Sequence, residues 1–172
     1  MKLRVTPKNH EISLDPSEFI VTKSDLSGRI TYANRTFMRV ANFPENHLLG
    51  RQHNLMRHPD MPRGIFRLLW ETLSRQQEFF GYIKNISADG GYYWVFANIT
   101  PDRDSGGRLV GYFSVRRKPK REAIRMVEPL YREMSEIEKR AGPADAPVAS
   151  ANYLKGRMRD CGSSYEKFVL SL

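Results

Sequence analysis

The segment of this 172-residue chain with the most reactive chemistry is His53-Asn54-Leu55-Met56-Arg57-His58-Pro59-Asp60-Met61-Pro62, where imidazole, guanidinium and carboxylate groups crowd together. Arg57 offers a fork of donors to a phosphate or carbonyl, and His58 can donate or accept. Asp60 precedes a helix N-terminus, a place where an anion binds or a carboxylate caps. Together these groups suit a planar, phosphorylated cofactor. Taken singly, Asp60 would cap its helix and Arg57 would pair with it. Asn85, facing inward from a strand, supplies an amide for a ring edge, and Trp70 with the Phe79-Phe80 pair supplies flat apolar walls. For Phe66 and Trp70, plain core packing accounts for the residue type as well as ligand contact does.

The elements that must position these groups follow from periodicity and turn chemistry. Phe19-Ile20-Val21-Thr22 and Arg29-Ile30-Thr31-Tyr32 are β-prone runs joined by the turn former Asp25-Leu26-Ser27-Gly28, hence a hairpin. Asn34 caps a short amphipathic segment with Phe37, Val40 and Ala41 at helical spacing, stopped by Asn42-Phe43-Pro44. Pro62 suits a first helical position, and Ile65, Phe66, Leu69, Trp70 and Leu73 recur along one buried face. From Phe79 the pattern becomes extended, giving strands over 79–86, 92–100 and 109–115 separated by glycine-containing turns. Two strands, short helices and three hairpin-linked strands predict an α+β fold. Its five-stranded antiparallel sheet carries helices on one face and encloses a pocket.

Beyond Pro119, Ile124, Val127, Tyr131, Met134 and Ile137 mark one side of a helix that Pro129 is expected to interrupt. Residues 141–150 are small and turn-rich and read as a linker; 151–172 reads as a short helical tail with Tyr165, Phe168 and Val169 on its apolar side. The expected division is an arm (1–14), a core domain (15–118), a helical segment (119–140), the linker (141–150) and the tail (151–172).

Composition bounds the function. A chain of this length, 40% hydrophobic, has material for one real core. No run approaches the roughly eighteen apolar residues of a membrane span, and Met1-Lys2-Leu3-Arg4 leads into polar sequence without the apolar stretch of a signal peptide, so a cytoplasmic protein is expected. Cys161 is the single cysteine, which excludes an internal disulfide and a thiolate metal cage. The net charge of +9 would suit nucleic acid, and its densest run is Arg116-Arg117-Lys118-Pro119-Lys120-Arg121. No nucleic-acid-binding motif accompanies that run, which reads as a solvated junction where a strand leaves the domain.

Several of these segments, taken together, resemble a known family: Arg29-Ile30-Thr31-Tyr32-Ala33-Asn34, the run His53 to Pro62, Phe66, Trp70, Lys84-Asn85, Tyr93-Trp94-Val95, Ala97-Asn98 and Val127-Glu128-Pro129-Leu130-Tyr131. Over about residues 15 to 135 they resemble the PAS domain of bacterial aerotaxis receptors, with the unbroken Arg57-His58-Pro59-Asp60-Met61-Pro62 as the most specific element. The resemblance implies a PAS fold with a C-terminal helical extension. It also implies non-covalently bound FAD whose redox state reports oxygen or electron-transport status. Flavin-site roles fall by position on Asn34, Arg57, His58, Asp60, Phe66, Trp70 and Asn85. Phe79 stands where the family often has tryptophan, keeping a ring and losing the indole donor. The receptors continue into a membrane anchor, a HAMP segment and a signalling coiled coil, so output here is expected through a partner protein such as a chemoreceptor.

The expected class is therefore a sensor and not an enzyme. FMN is the alternative flavin. A haem-binding PAS oxygen sensor with His53 or His58 on the iron is a rival, as is a ligand-free interaction module that dimerises through its terminal helices. A flavin–cysteine photoreceptor lacks its thiol, since no cysteine precedes Cys161, and a flavin reductase lacks a glycine-rich dinucleotide motif.

Overall fold

Strand β1 (Phe19–Ser24) reverses into β2 (Ile30–Ala33) through a turn that Asp25 organises, its Oδ1 accepting the N–H groups of Ser27 and Arg29 at 2.9 Å each. Gly28 closes this turn at φ +81°, with the Trp70 ring 3.1 Å from where a Cβ would stand, so both backbone and space demand glycine. Asn34 then caps α1 (Arg35–Ala41), accepting the Phe37 N–H. A single turn, α2 (Glu45–Leu48), and a 3-10 turn (His53–Met56) lead into α3 (Arg63–Ser74), whose first residue follows Pro62. Strands β3 (Phe79–Ile86), β4 (Tyr92–Arg103) and β5 (Leu109–Arg117) complete an antiparallel sheet in the order β2-β1-β5-β4-β3. This computed structural model describes residues 5–172; Met1-Lys2-Leu3-Arg4 lies outside the described residues.

Strand alternation divides the sheet into two faces. The register pairs Thr22 with Ser114, Ile20 with Arg116, Ala97 with Arg116 and Asn85 with Tyr93, which sets these residues on the inner face under α1 and α3. There Ile20, Phe37, Ile65, Leu73, Tyr93 and Val95 are closed off from water, each worth roughly 1.5–3 kcal/mol of apolar burial. Tyr82, Lys84, Trp94 and Phe96 take the outer face, covered in part by the C-terminal helices, with Trp94 against Tyr131.

The C-terminal region differs from the sequence expectation in two ways. Helix α4 (Arg121–Asp160) runs through Pro129 without leaving helical geometry and breaks only at Gly142 (φ 77°, ψ 167°), giving arms 121–141 and 143–160. Pro129 removes one intrahelical bond, and the buried residues on either side of it, Val127, Leu130, Tyr131 and Met134, hold the helix together. The stretch 141–150 is therefore no linker. Its small residues permit close packing, since a Cβ on Gly64 would lie 2.2 Å from Ser150 Oγ and 2.6 Å from the Ala151 nitrogen. Pro147 has no N–H for the Pro143 carbonyl, and the freed carbonyl accepts from Arg63 Nη1 at 2.7 Å. Glu138 Oε1 takes both the Gly64 N–H and the Ser150 hydroxyl, which binds the two arms to α3. After Gly162, Ser164 caps α5 (Tyr165–Ser171), which docks against β3.

Because the α3–α4 contact leaves no room for a methyl group, Gly64→Ala is expected to lower unfolding stability by about 1–3 kcal/mol. Thermal unfolding checks the loss, and limited proteolysis should show earlier cutting within 143–172.

Candidate functional site

Between α3 and the inner face of the sheet lies a cavity of about 1000 Å³, counted to include its mouth open to solvent. Helix α3 contributes Phe66, Leu69, Trp70 and Leu73, four residues on one helical stripe, and Ile83 and Ile99 face them from the sheet. The polar groups are concentrated elsewhere on the lining: Asn85 and Arg57 near the β3 edge, and Thr22, His53, Ser114 and Arg116 over β1 and β5.

The Arg57–Asp60 loop is positioned by β3. Arg57 and Asn85 form an antiparallel β-bridge, and residues directly opposite in such a bridge share a face, so both side chains turn to the cavity. Arg57 also lies over the Phe66 ring, 5.9 Å from its centroid, and burial followed by the charge of Arg63 lowers its pKa. One residue on, alternation sends His58 the other way. It is buried on the outer side beside Tyr92, with its Nδ1 accepting the Asp60 N–H at 3.1 Å. Burial, then Lys84, pushes His58 below the ordinary imidazole range. Asp60 pairs with Lys84 at 2.7 Å; burial raises its carboxyl, and the Lys84 hydrogen bond and charge outweigh that and lower it.

Of the eight residues singled out from sequence, four meet at the cavity: Arg57, Phe66, Trp70 and Asn85. The other four do not line it. Asn34 spends its side chain on structure, capping α1, accepting from the Val21 N–H and donating to the Phe19 carbonyl. His58 and Asp60 face outward for the reason just given. Phe79 stacks on Tyr165 of α5, centroids 6.0 Å apart, because α5 docks on that end of β3.

Arg116 was missed, and the basic run containing it misled: residues 117, 118, 120 and 121 are exposed, whereas Arg116 is 3% exposed in the interior. The available clue was alternation along Tyr112, Ser114 and Arg116, all on the cavity face. Arg116 donates from Nε to Ser114 Oγ at 2.9 Å and from Nη2 to Thr22 Oγ1 at 2.5 Å and His53 Nε2 at 2.6 Å, and it lies 5.4 Å over the Phe37 ring. Every partner is neutral. Burial pushes Arg116 down to about 10, so it stays charged at neutral pH. Burial and the Arg116 charge push His53 down to about 3, leaving Nε2 as an unprotonated acceptor. The Tyr93 hydroxyl, raised by burial, has no hydrogen-bond partner among the described residues.

A five-stranded antiparallel sheet cupped around such a cavity by short helices defines a distinct class of α+β fold. A family model described as "PAS fold" matches residues 30–116, and the chain belongs to that family. The Aerotaxis receptor of Escherichia coli strain K12 is 37% identical over 131 residues, 76% of this chain and 25% of that protein. The Nitrogen fixation regulatory protein of Klebsiella pneumoniae is 31% identical over 60% of this chain and 21% of its own length. The chain thus spans a quarter or less of these curated relatives. Among solved structures, a light-oxygen-voltage domain studied with a flavin analogue superposes with a TM-score of 0.56 at 23% identity, covering 69% of this chain and 87% of that one.

The neutral buried imidazoles make stability depend on pH. Below about 6.5 the unfolded chain takes up protons that folded His53 and His58 refuse, so stability falls as pH drops and, for His53, continues to fall toward about 3. Urea unfolding is expected to show a loss of roughly 2 kcal/mol between pH 7 and pH 4.5, and His53→Gln, which keeps an acceptor for Arg116, is expected to remove most of it.

Proposed function

We propose that this chain is a flavin-binding PAS sensor, holding FAD in the cavity and reporting its redox state to a partner protein. The observation that carries this reading is the cavity's composition: flat apolar walls from α3 opposite Arg57, Asn85 and Arg116, three strong donors with no carboxylate partner among the described residues. A flavin fits such a lining, since its ring is planar and apolar on its faces, with carbonyls and ring nitrogens along one edge and a phosphate chain beyond. The relatives support the reading by name, one being an aerotaxis receptor, as does the solved domain studied with a flavin analogue.

When bound, the flavin supplies the electron transfer, and the protein binds, orients and shields it. Phe66 and Trp70 form the ring's wall, with Trp70 set edge-on to Tyr112 at 5.6 Å and 42% exposed at the mouth. Asn85 presents its amide to the ring edge, and Arg57, forked and without a carboxylate partner among the described residues, takes a phosphate. No imidazole projects freely into the cavity: His58 is outside it, and His53 Nε2 is engaged by Arg116. Both facts argue against haem ligation.

The output runs through β3. Asn85 sits three residues from Tyr82, whose carbonyl accepts the Tyr131 hydroxyl of α4 at 2.8 Å, and Tyr131 in turn meets the Tyr165 hydroxyl of α5 at 2.6 Å. A reoriented Asn85 amide shifts this strand, and the helices beyond residue 118 carry the shift to the partner or to a second copy. The sensing unit is residues 15–118, it works in the cytoplasm, and it needs no catalytic base.

The purified protein is expected to show flavin absorption that bleaches with dithionite, and chromatography of heat-released ligand should give FAD. A Soret band would favour haem, and a colourless protein that takes up no FAD would leave a ligand-free interaction module. Arg57→Ala is expected to weaken FAD binding about tenfold or more, the worth of one charge-assisted contact, while leaving the melting temperature of ligand-free protein within a few degrees.

A further inference from the structure

An arginine enclosed by neutral acceptors is a costly way to fill a core. Removing a guanidinium from water costs several kcal/mol unless a counter-charge compensates it. Arg116 has none. Its Nε and Nη2 donate to Ser114, Thr22 and His53, and Nη1 donates to no protein group among the described residues. The residue lines the cavity at 3% exposure, so its unused donors and its charge belong to whatever the cavity holds.

We propose that Arg116 is the counter-ion of the bound ring: the negative charge that the flavin gains on reduction is held by this guanidinium, so the protein favours the anionic reduced ring over the neutral one. This rests on the flavin reading above. Two electrons from a reductant and one proton from water give a reduced ring with one negative charge, and a second proton would neutralise it. A fixed cation in a poorly solvated cavity weakens the binding of that second proton.

The groups around Arg116 leave this task to it. His53 on the 3-10 turn and Tyr93 on β4 are the titratable groups facing it, and both are neutral at pH 7. β1, β5 and α1 bring Thr22, Ser114 and Phe37, which do not titrate, and the α3 residues lining the cavity are Phe66, Leu69, Trp70 and Leu73. Arg57 is the other cation of the lining and acts in the same direction.

The test is the midpoint potential of the flavin-loaded full chain as a function of pH, with dithionite as reductant and free FAD as control. Uptake of two protons gives twice the slope per pH unit of uptake of one, so the bend between the two regimes reports the second proton's affinity. The bend is expected at least about one pH unit below that of free FAD, a tenfold weaker protonation. Arg116→Gln, which keeps hydrogen bonding and loses the charge, should return it towards the free value, and Arg116→Lys should hold it low. A wild-type bend equal to that of free FAD overturns the proposal, as does a bend that stays low in Arg116→Gln. Should Arg116→Gln fail to hold flavin, the wild-type and Arg116→Lys curves decide. A wild-type protein whose spectrum shows no flavin after FAD is added defeats the flavin reading itself, a failure visible before any titration begins.

Discussion

A strand at the edge of a sheet carries backbone groups that must find partners, and the way β3 meets that demand organises much of this molecule. Near its C-terminal end, Asn85 bridges to Arg57, which pins the connection between the 3-10 turn and α3 along the sheet edge. Nearer its middle, the Tyr82 carbonyl accepts the Tyr131 hydroxyl, which fastens α4 to the same strand. One edge therefore holds both the loop that reaches the cavity and the helix that leaves the domain. Displacement of β3 is felt at both, because packed elements of this kind slide or hold but do not stretch.

The cavity owes its two-sided character to two periodicities meeting. A helical stripe on α3 presents Phe66, Leu69, Trp70 and Leu73 together, and a period of two on the strands presents Asn85, Ser114 and Arg116. Apolar walls exclude water and so strengthen every charge left inside. Arg116 has only neutral partners, and burial, helped by the Arg116 charge, holds His53 neutral, so the cation stands uncompensated by the groups it touches. A redox-active ring placed there meets a field already oriented, and no side chain has to move to create it.

The C-terminal helices turn this lobe into a larger, continuous structure. Gly64, Ser150 and Ala151 let α3 and the second arm of α4 approach almost backbone to backbone, and Tyr165 closes the far end of β3 over Phe79. Helix α3 thus has one face on the cavity and the other on α4. Occupancy of the cavity and the set of the C-terminal helices are consequently felt by the same element.

The sequence by itself determined the strands, the hairpins, α1 with its Asn34 cap and the apolar stripe of α3, because these rest on period, turn chemistry and capping, all local. The PAS fold was legible through the resemblance carried by Arg57-His58-Pro59-Asp60-Met61-Pro62 and its companion segments. It also brought forward Arg57, Phe66, Trp70 and Asn85, which the structure gathers at one cavity. What only the tertiary structure decided was which way neighbouring residues face and what surrounds them. Arg57 and His58 are adjacent in the chain and part company because the bridge to Asn85 sets the phase of the alternation. Arg116 reads as one charge in an exposed basic run and is buried because β5 extends two residues further than its apolar pattern suggests, between β1 and β4. Residues 141–150 have the composition of a linker, yet from Pro143 onward they belong to the second arm of α4, packed where Gly64 on a distant segment leaves a groove only small side chains fit. In each case the deciding contact lies far off in sequence, and local propensity carries no record of it.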